Sequence, residues 1–550
     1  MNRTANTTVA LLLTLLLLPF ALLAAEAESG KDSSVDPALQ PLLADLTQAS
    51  LRDTAAVLDQ LEAAGGRTML PLFQTMLDGD LYFDEATLLI IGVREDNGGD
   101  ELGTDIMTGV DLGSVARREL EKIRVNNRLR GHLRDAIARI QLTQGDRRER
   151  RQAALALLDD INTDSAELLS QALAVESESS VREVIEVGLA MQTLQASDDR
   201  EARLAAIDVL DGRLENPVRN MLTSYAPGGF MEEADAQVSG AAAQALENIQ
   251  GRISFFRFVE QLFFGLSLGS VLLLAAIGLA VTFGVMGVIN MAHGEMLMLG
   301  AYTTYVVQQA MPNLIGYSLW VAIPAAFLVA ATVGILIQRY VIRFLNGRPL
   351  ETLLATFGIS LILQETVRTI FSPLNRRVLS PQWMSSSLEI NPVLSLTYNR
   401  LYILLFALVV FGILLLILKK SSLGLQVRAV AQNREMARAM GIRTERVDAL
   451  TFGLGSGIAG IAGVALSQLT NVGPNLGQSY IVDSFMVVVF GGVGNLLGTL
   501  VGAFTLGTVN KFMEPVTGTV LANILILLFI ILFIQKRPKG LFPQWGRAAE

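Results

Sequence analysis

After Arg257 the chain turns apolar. Long runs at 258–288, 319–338, 351–371, 401–418, 448–470, 480–512 and 519–534 follow one another. Several reach the roughly 20 residues a helix needs to cross a bilayer. The run 258–311 is interrupted by polar residues from Asn290 to Glu295, and 480–512 by Gly491 to Asn495. The pattern predicts about eight or nine crossings, some made by broken helices. The expected fold class is therefore all-α: a polytopic membrane helix bundle over 257–545, preceded by a separate soluble segment.

Composition agrees. Charged residues make up 17% of the 550 and mean hydropathy is +0.44, whereas a soluble chain carries roughly 25% charge. The charge is also divided. Residues 26–256 hold 22 Lys+Arg against 41 Asp+Glu, and residues 257–550 hold 20 against 11. The acidic half has no basic stripe for nucleic acid. In the apolar half the cations fall at 339–348, 419–446 and 535–547. Counting crossings under the positive-inside rule places all three, and the tail, in the cytoplasm, with Arg376, Arg377 and Arg400 as exceptions on the outer side. With no Cys, disulfides and thiolate catalysis are excluded, and with only His132 and His293 a multi-His metal centre is disfavoured. No G-x-x-x-x-G-K-[ST] occurs, so the chain has no ATPase site of its own; catalytic residues, metals and cofactors bound by this chain are expected to be none.

Arg3, the apolar stretch Val9–Leu23 and the small residues Ala24, Ala25 and Ala27 predict a signal peptide over 1–25. Residues 26–252 then form an acidic periplasmic domain. Apolar positions recur at helical spacing in 151–158, 181–189 and 200–210, which predicts stacked HEAT-like helical hairpins. Residues 92–113, rich in Gly and Asp, read as a long loop. His132 reads as part of a solvated helix face.

Gly455-Ser-Gly457-Ile-Ala-Gly460 fits a dinucleotide fingerprint only in letters, since no βαβ unit surrounds it. Gly453, Gly457 and Gly460, and again Gly494, Gly498 and Gly502, instead place small residues one turn apart, which lets membrane helices approach closely. Asn290, His293 and Glu295 are costly inside an apolar run and need partners, water or a cavity. They are candidates either for a polar pin between half-helices or for a substrate pathway, together with Gln364. Glu365 and Asp483 are further acids at membrane depth or its edge. The basic amphipathic stretch 421–446 suits either anionic lipid or a docked partner.

Glu435-Met436-Ala437-x-x-x-Gly441 resembles the coupling-loop motif of ABC importer permeases, with Met436 where the pattern has Ala. The blocks Gly287–Tyr302, Ala355–Gln364, Arg428–Arg434, Gly491–Gly494 and Lys536–Phe542 are similar to those of the branched-chain amino acid type permeases, in order, over about 257–545. The stretches Arg348–Gly358, Asn433–Thr444 and Asn471–Met486, and the signal with its helical extension, resemble most the urea-transporter subfamily. That resemblance implies an inner-membrane permease subunit that moves urea by alternating access. It implies a second homologous permease, two cytoplasmic ATPase subunits carrying ATP and Mg, and a periplasmic binding protein. Arg428, Arg434, Glu435, Met436, Ala437 and Gly441 would then couple the ATPases to the membrane helices.

Urea is small, planar and neutral, so a site for it needs carboxylate or carbonyl acceptors and an amide or hydroxyl donor. Asn290, His293, Glu295 and Gln364 suit that chemistry without excluding a branched-chain amino acid or short amide. An ion-coupled secondary transporter is the competing class, with Glu295 and Asp483 as ion ligands. A sensor is disfavoured by the short segment after Lys536.

Overall fold

The computed structural model describes residues 38–542 except 86, 96–100, 232, 234 and 346. The predicted signal peptide and the end of the basic tail lie outside the described residues. The chain divides into two units, up to Ile249 and from Gln250 onward.

The first unit is mainly helical but not all-α, which corrects the expectation. Five short strands, β1 (Leu81–Phe83), β2 (Ile90–Glu95), β3 (Glu101–Asp105), β4 (Asp111–Ser114) and β5 (Glu121–Lys122), form an antiparallel sheet in the order β4-β3-β2-β1-β5. Residues 92–113, expected to be a loop, contribute to its central pairing, with Gly92 opposite Thr104 and Val93 opposite Gly103. The glycines that disguised these strands make room. A Cβ on Gly92 would lie 2.5 Å from the Ile106 side chain, and one on Gly103 would lie 2.6 Å from Val115. Side chains crossing the sheet occupy the space a larger residue would take.

The expected helical blocks fall within Arg147–Leu157, Ser179–Ala196 and Arg200–Leu210. Several helix starts here are capped, those of Arg147–Leu157 and Thr163–Val175 by reciprocal pairs. Asp146 and Glu149 form a capping box, and Asn162 and Ser165 form another; each satisfies backbone N–H groups a helix end leaves open. Long-range ion pairs tie distant parts of this unit together. Arg139 meets Glu62 at 2.8 Å, Arg150 meets Glu176 at 2.7 Å, and Arg203 pairs with Glu233. His132 sits 2.9 Å from Asp59 on its helix face. Leu58, Leu61, Leu72, Phe73, Met76 and Leu133 form the core beneath the sheet.

Seven described helices are long and apolar enough to cross a membrane: Ala236–Met286, Pro312–Tyr340, Pro349–Phe371, Tyr398–Lys420, Thr444–Ser467, Leu496–Thr517 and Thr519–Lys536. The expected count was eight or nine. The difference lies in His293–Ala310, which is too polar to qualify, and Leu476–Gly491, whose 16 residues are short. His293–Ala310 packs inside the bundle, and Leu476–Gly491 buries one face in it. Close backbone contacts between glycines hold it: a Cβ on Gly300 would meet the Gly460 carbonyl oxygen at 1.9 Å, and one on Gly498 would meet that of Gly491 at 2.1 Å. Association of helices in lipid rests on such contacts, because lipid tails are as apolar as the side chains.

Candidate functional site

The interruption expected at Asn290–Glu295 is a break between two helices. The helix Ala236–Met286 ends, Gly287 adopts φ +67°, and helical structure resumes at His293. A broken helix exposes backbone N–H groups at the new start, and local side chains take them up. Asn290 Oδ1 accepts from the Ala292 N–H at 3.0 Å. Thr356 Oγ1, on the helix Pro349–Phe371, accepts from the Met291 N–H at 3.2 Å.

His293 is wholly buried, and its Nε2 lies 2.9 Å from the Ala275 carbonyl oxygen. A carbonyl only accepts, so Nε2 carries the proton and Nδ1 of the neutral ring is an acceptor. The ring thus ties the restarted helix to the middle of the preceding one. Glu295 is equally buried. Its Oε1 accepts from Ser360 Oγ at 2.9 Å and from Gln364 Nε2 at 2.7 Å. Behind this cluster the backbones nearly touch: a Cβ on Gly294 would lie 2.4 Å from the Gly477 oxygen, and one on Gly278 would lie 2.3 Å from that of Gly455.

Asn290, His293, Glu295 and Gln364 are all buried about the helix break, in a seam with two sides: His293 turns to the preceding helix and Glu295 to the helix Pro349–Phe371. Three of them also hold an unsatisfied atom. Asn290 Nδ2, His293 Nδ1 and Glu295 Oε2 are buried and find no hydrogen-bond partner among the described residues. A buried polar group left open costs about 1–3 kcal/mol, so the seam is set to accept a donor at two positions and to offer one at a third. Sequence reasoning missed Ser360. The signal was present, for Thr352, Thr356, Ser360 and Gln364 recur every four residues, and all are buried. This is a polar stripe down one face of an apolar helix.

The stretch 421–446 folds as two short helices, Ser422–Gln432 and Arg434–Ala439. The candidate residues divide by direction. Arg428 donates to the Leu418 carbonyl at the end of the preceding helix. Gly424 allows that approach, because a Cβ there would lie 2.1 Å from the same oxygen. Arg434 pairs with Asp448, a fully buried carboxylate in the helix Thr444–Ser467 that sequence reasoning had passed over. Ala437 packs with Val427, Val430 and Val447. Glu435 and Met436 point outward, and Gly441 ends the loop at φ +87°. One face thus holds the loop to the bundle and the other is free to meet something else.

The glycines cluster at helix crossings. A Cβ on Gly457 would strike the Phe327 ring at 2.5 Å, one on Gly453 would meet Ile335 at 2.7 Å, and one on Gly460 would meet the Ala326 oxygen at 2.5 Å. Gly494 lies against Gly284, and Gly502 faces the Val487 oxygen at 3.0 Å.

Comparison with known proteins gives a consistent likeness. Residues 261–534 match the family described as branched-chain amino acid transport system / permease component. The high-affinity branched-chain amino acid transport system permease protein LivH of Salmonella typhimurium is 31% identical over 299 residues, covering 52% of this chain and 96% of that protein. BraD of Pseudomonas aeruginosa, described in the same words, is 30% identical over 295 residues, with the same coverage. The ribose import permease protein RbsC of Bacillus subtilis is 33% identical over 108 residues, 18% of this chain and 34% of that protein. No solved structure matches.

Proposed function

We propose the function from one premise: this chain belongs to the family of branched-chain amino acid transport system permease components. It is an ABC-type permease, and its mostly helical bundle of apolar helices suits a multi-pass inner-membrane protein. The finer reading is an importer subunit that translocates urea. ATP hydrolysis takes place on two cytoplasmic partner subunits, a second homologous permease completes the membrane part, and a binding protein delivers cargo from the periplasm. The acidic unit before Ile249 is the periplasmic domain in this reading, a HEAT-like helical array with an inserted sheet.

The observation that carries the cargo reading is the seam at the helix break. The free Glu295 Oε2 and His293 Nδ1 are acceptors, and the free Asn290 Nδ2 is a donor. Urea offers the matching N–H groups and carbonyl oxygen. Burial of the seam removes competing water, and this strengthens each hydrogen bond. The sequence stretches similar to urea permeases point the same way. Branched-chain amino acid transport is the second reading, favoured by the names of the relatives.

Energy reaches the seam from the loop 421–446. Glu435 and Met436 meet the ATPase, Arg434 passes the displacement to Asp448, and the helix Thr444–Ser467 carries it to the glycine contacts behind Glu295. Uptake of labelled urea and labelled leucine, in cells lacking this gene and in cells with it restored, tests the proposal. Loss of urea uptake alone supports it. Loss of leucine uptake with urea unchanged overturns the cargo and keeps the permease.

A further inference from the structure

The helix Leu476–Gly491 has two unlike faces. Gly477, Ile481, Ser484, Val488 and Gly491 are buried in the bundle at helical spacing. Gln478, Ser479, Val482 and Phe485 are exposed, and Asp483 lies half-buried on the flank of that face. The Asp483 side chain makes no hydrogen bond or ion pair with any described residue. It stands seven residues into the helix, roughly 10 Å from its start, in a segment that is otherwise apolar beyond Ser479 save for Ser484. Every other acid in the buried parts of this bundle is held: Glu295 by Ser360 and Gln364, and Asp448 by Arg434.

Lipid cannot cover such a face, because an unpaired carboxylate with a Gln and a Ser above it is too costly in hydrocarbon. Ionisable groups at this depth face a water-filled cavity or a partner's donors. The graded character of the face, polar at its start and apolar at its end, suits a hydrated funnel better than a dry seam. We infer that this face lines the aqueous translocation path and that Asp483 is a specificity-determining residue there, accepting N–H groups of the cargo. Asp483 acts in the hydrated approach, whereas the seam at Glu295 acts in the dry interior. The inference rests on the transport reading and deepens it, since a bare carboxylate beside the path accepts the N–H groups that urea presents.

The chain contains no Cys, so single cysteines report without background. Asp483→Cys and Ser479→Cys would be placed in the full transporter in cells and treated with a charged, membrane-impermeant thiosulfonate. Val487→Cys, fully buried, and Leu532→Cys, on an exposed apolar face, are the controls. Both path positions are expected to react at least about tenfold faster than either control, and excess urea should slow them. Rates no faster than at Leu532→Cys would show a face sealed by the second permease or by lipid and would overturn the inference. In parallel, Asp483→Asn is expected to raise the KM for urea about tenfold, the cost of one charged hydrogen bond, at unchanged membrane abundance, with Asp483→Glu restoring part of the loss. Urea uptake of wild-type character in Asp483→Asn overturns the selectivity. If urea uptake depends on the gene but the cysteines are unreactive, only this inference fails. If deletion costs leucine uptake and spares urea, the cargo reading fails and the selectivity with it, while reactive cysteines still mark the path.

Discussion

Gln364 Nε2 donates to Glu295 Oε1 at 2.7 Å across 69 positions of sequence. This one bond joins the restarted helix after the break to the polar stripe of the helix Pro349–Phe371. It leaves the second Glu295 oxygen open.

Removing the donor should therefore expose the carboxylate. Gln364→Leu takes away one of two hydrogen bonds to a buried carboxyl group, worth about 0.5–1.5 kcal/mol, and Ser360→Ala takes away the other. Each single variant should reach the membrane with reduced thermal stability, and the double variant should lose more than either. Urea uptake at limiting concentration is expected to fall at least about tenfold in Gln364→Leu. Unchanged uptake at normal abundance would remove the seam from the pathway.

The Arg434–Asp448 pair separates holding from coupling. Breaking it with Asp448→Ala strands a cation, and loss of one partner of a buried pair costs about 3–5 kcal/mol, less here because Arg434 is partly exposed. The loop 421–446 should become sensitive to protease. Joint replacement by Arg434→Leu and Asp448→Leu should restore protease resistance, since an apolar pair of similar volume is often neutral. Transport should remain defective in that double variant if the ion pair carries the stroke. Full uptake would show that it serves only to hold the loop.

On the outward face, Glu435→Arg is expected to abolish uptake without affecting membrane insertion, because that side chain touches no part of the buried loop core. Gly441→Pro should do the same through the backbone, as proline cannot adopt φ +87°. Uptake assays paired with quantitative membrane immunoblots check both.

Two glycines should respond in opposite degree. Gly300→Val forces a side chain into the Gly460 carbonyl and should prevent stable accumulation of the protein. Gly287 has φ +67° and open space around its missing Cβ, so Gly287→Ala should cost only about 1–2 kcal/mol of backbone strain. Melting curves of the detergent-solubilised protein distinguish them.

Acid should loosen the first unit at a definite place. The hydrogen bond from Arg150 holds the Glu176 carboxyl below its ordinary 4.5. Its stabilising contribution is thus fully present above about 4.5 and is lost as the pH falls through the lower folded value. Hydrogen exchange in Arg147–Leu157 and Thr163–Val175 should accelerate over that range, and Glu176→Gln should remove the dependence while lowering protection at neutral pH.

Apolar run length and the interruption at Asn290 alone determined that the second half is a bundle of membrane helices with a break, because hydrocarbon allows a helical segment little else. Local chemistry likewise determined the caps at Asp146 and Asn162 and marked Asn290, His293, Glu295 and Gln364 as out of place. Only tertiary structure decided what those four do. Whether a buried polar atom is spent or open depends on neighbours up to 69 positions away, and no local pattern records that Glu295 has one oxygen bound and one free. The same holds for the sheet over 81–122. Its glycines read as loop because their value lies in the Ile106 and Val115 side chains that cross over them, a contact made by folding and invisible along the chain. Asp448 was missed for that reason too: it is ordinary in sequence and acquires meaning from the Arg434 that another element brings to it, whereas Ser360 stood in a legible polar stripe and only its partner Glu295 was hidden.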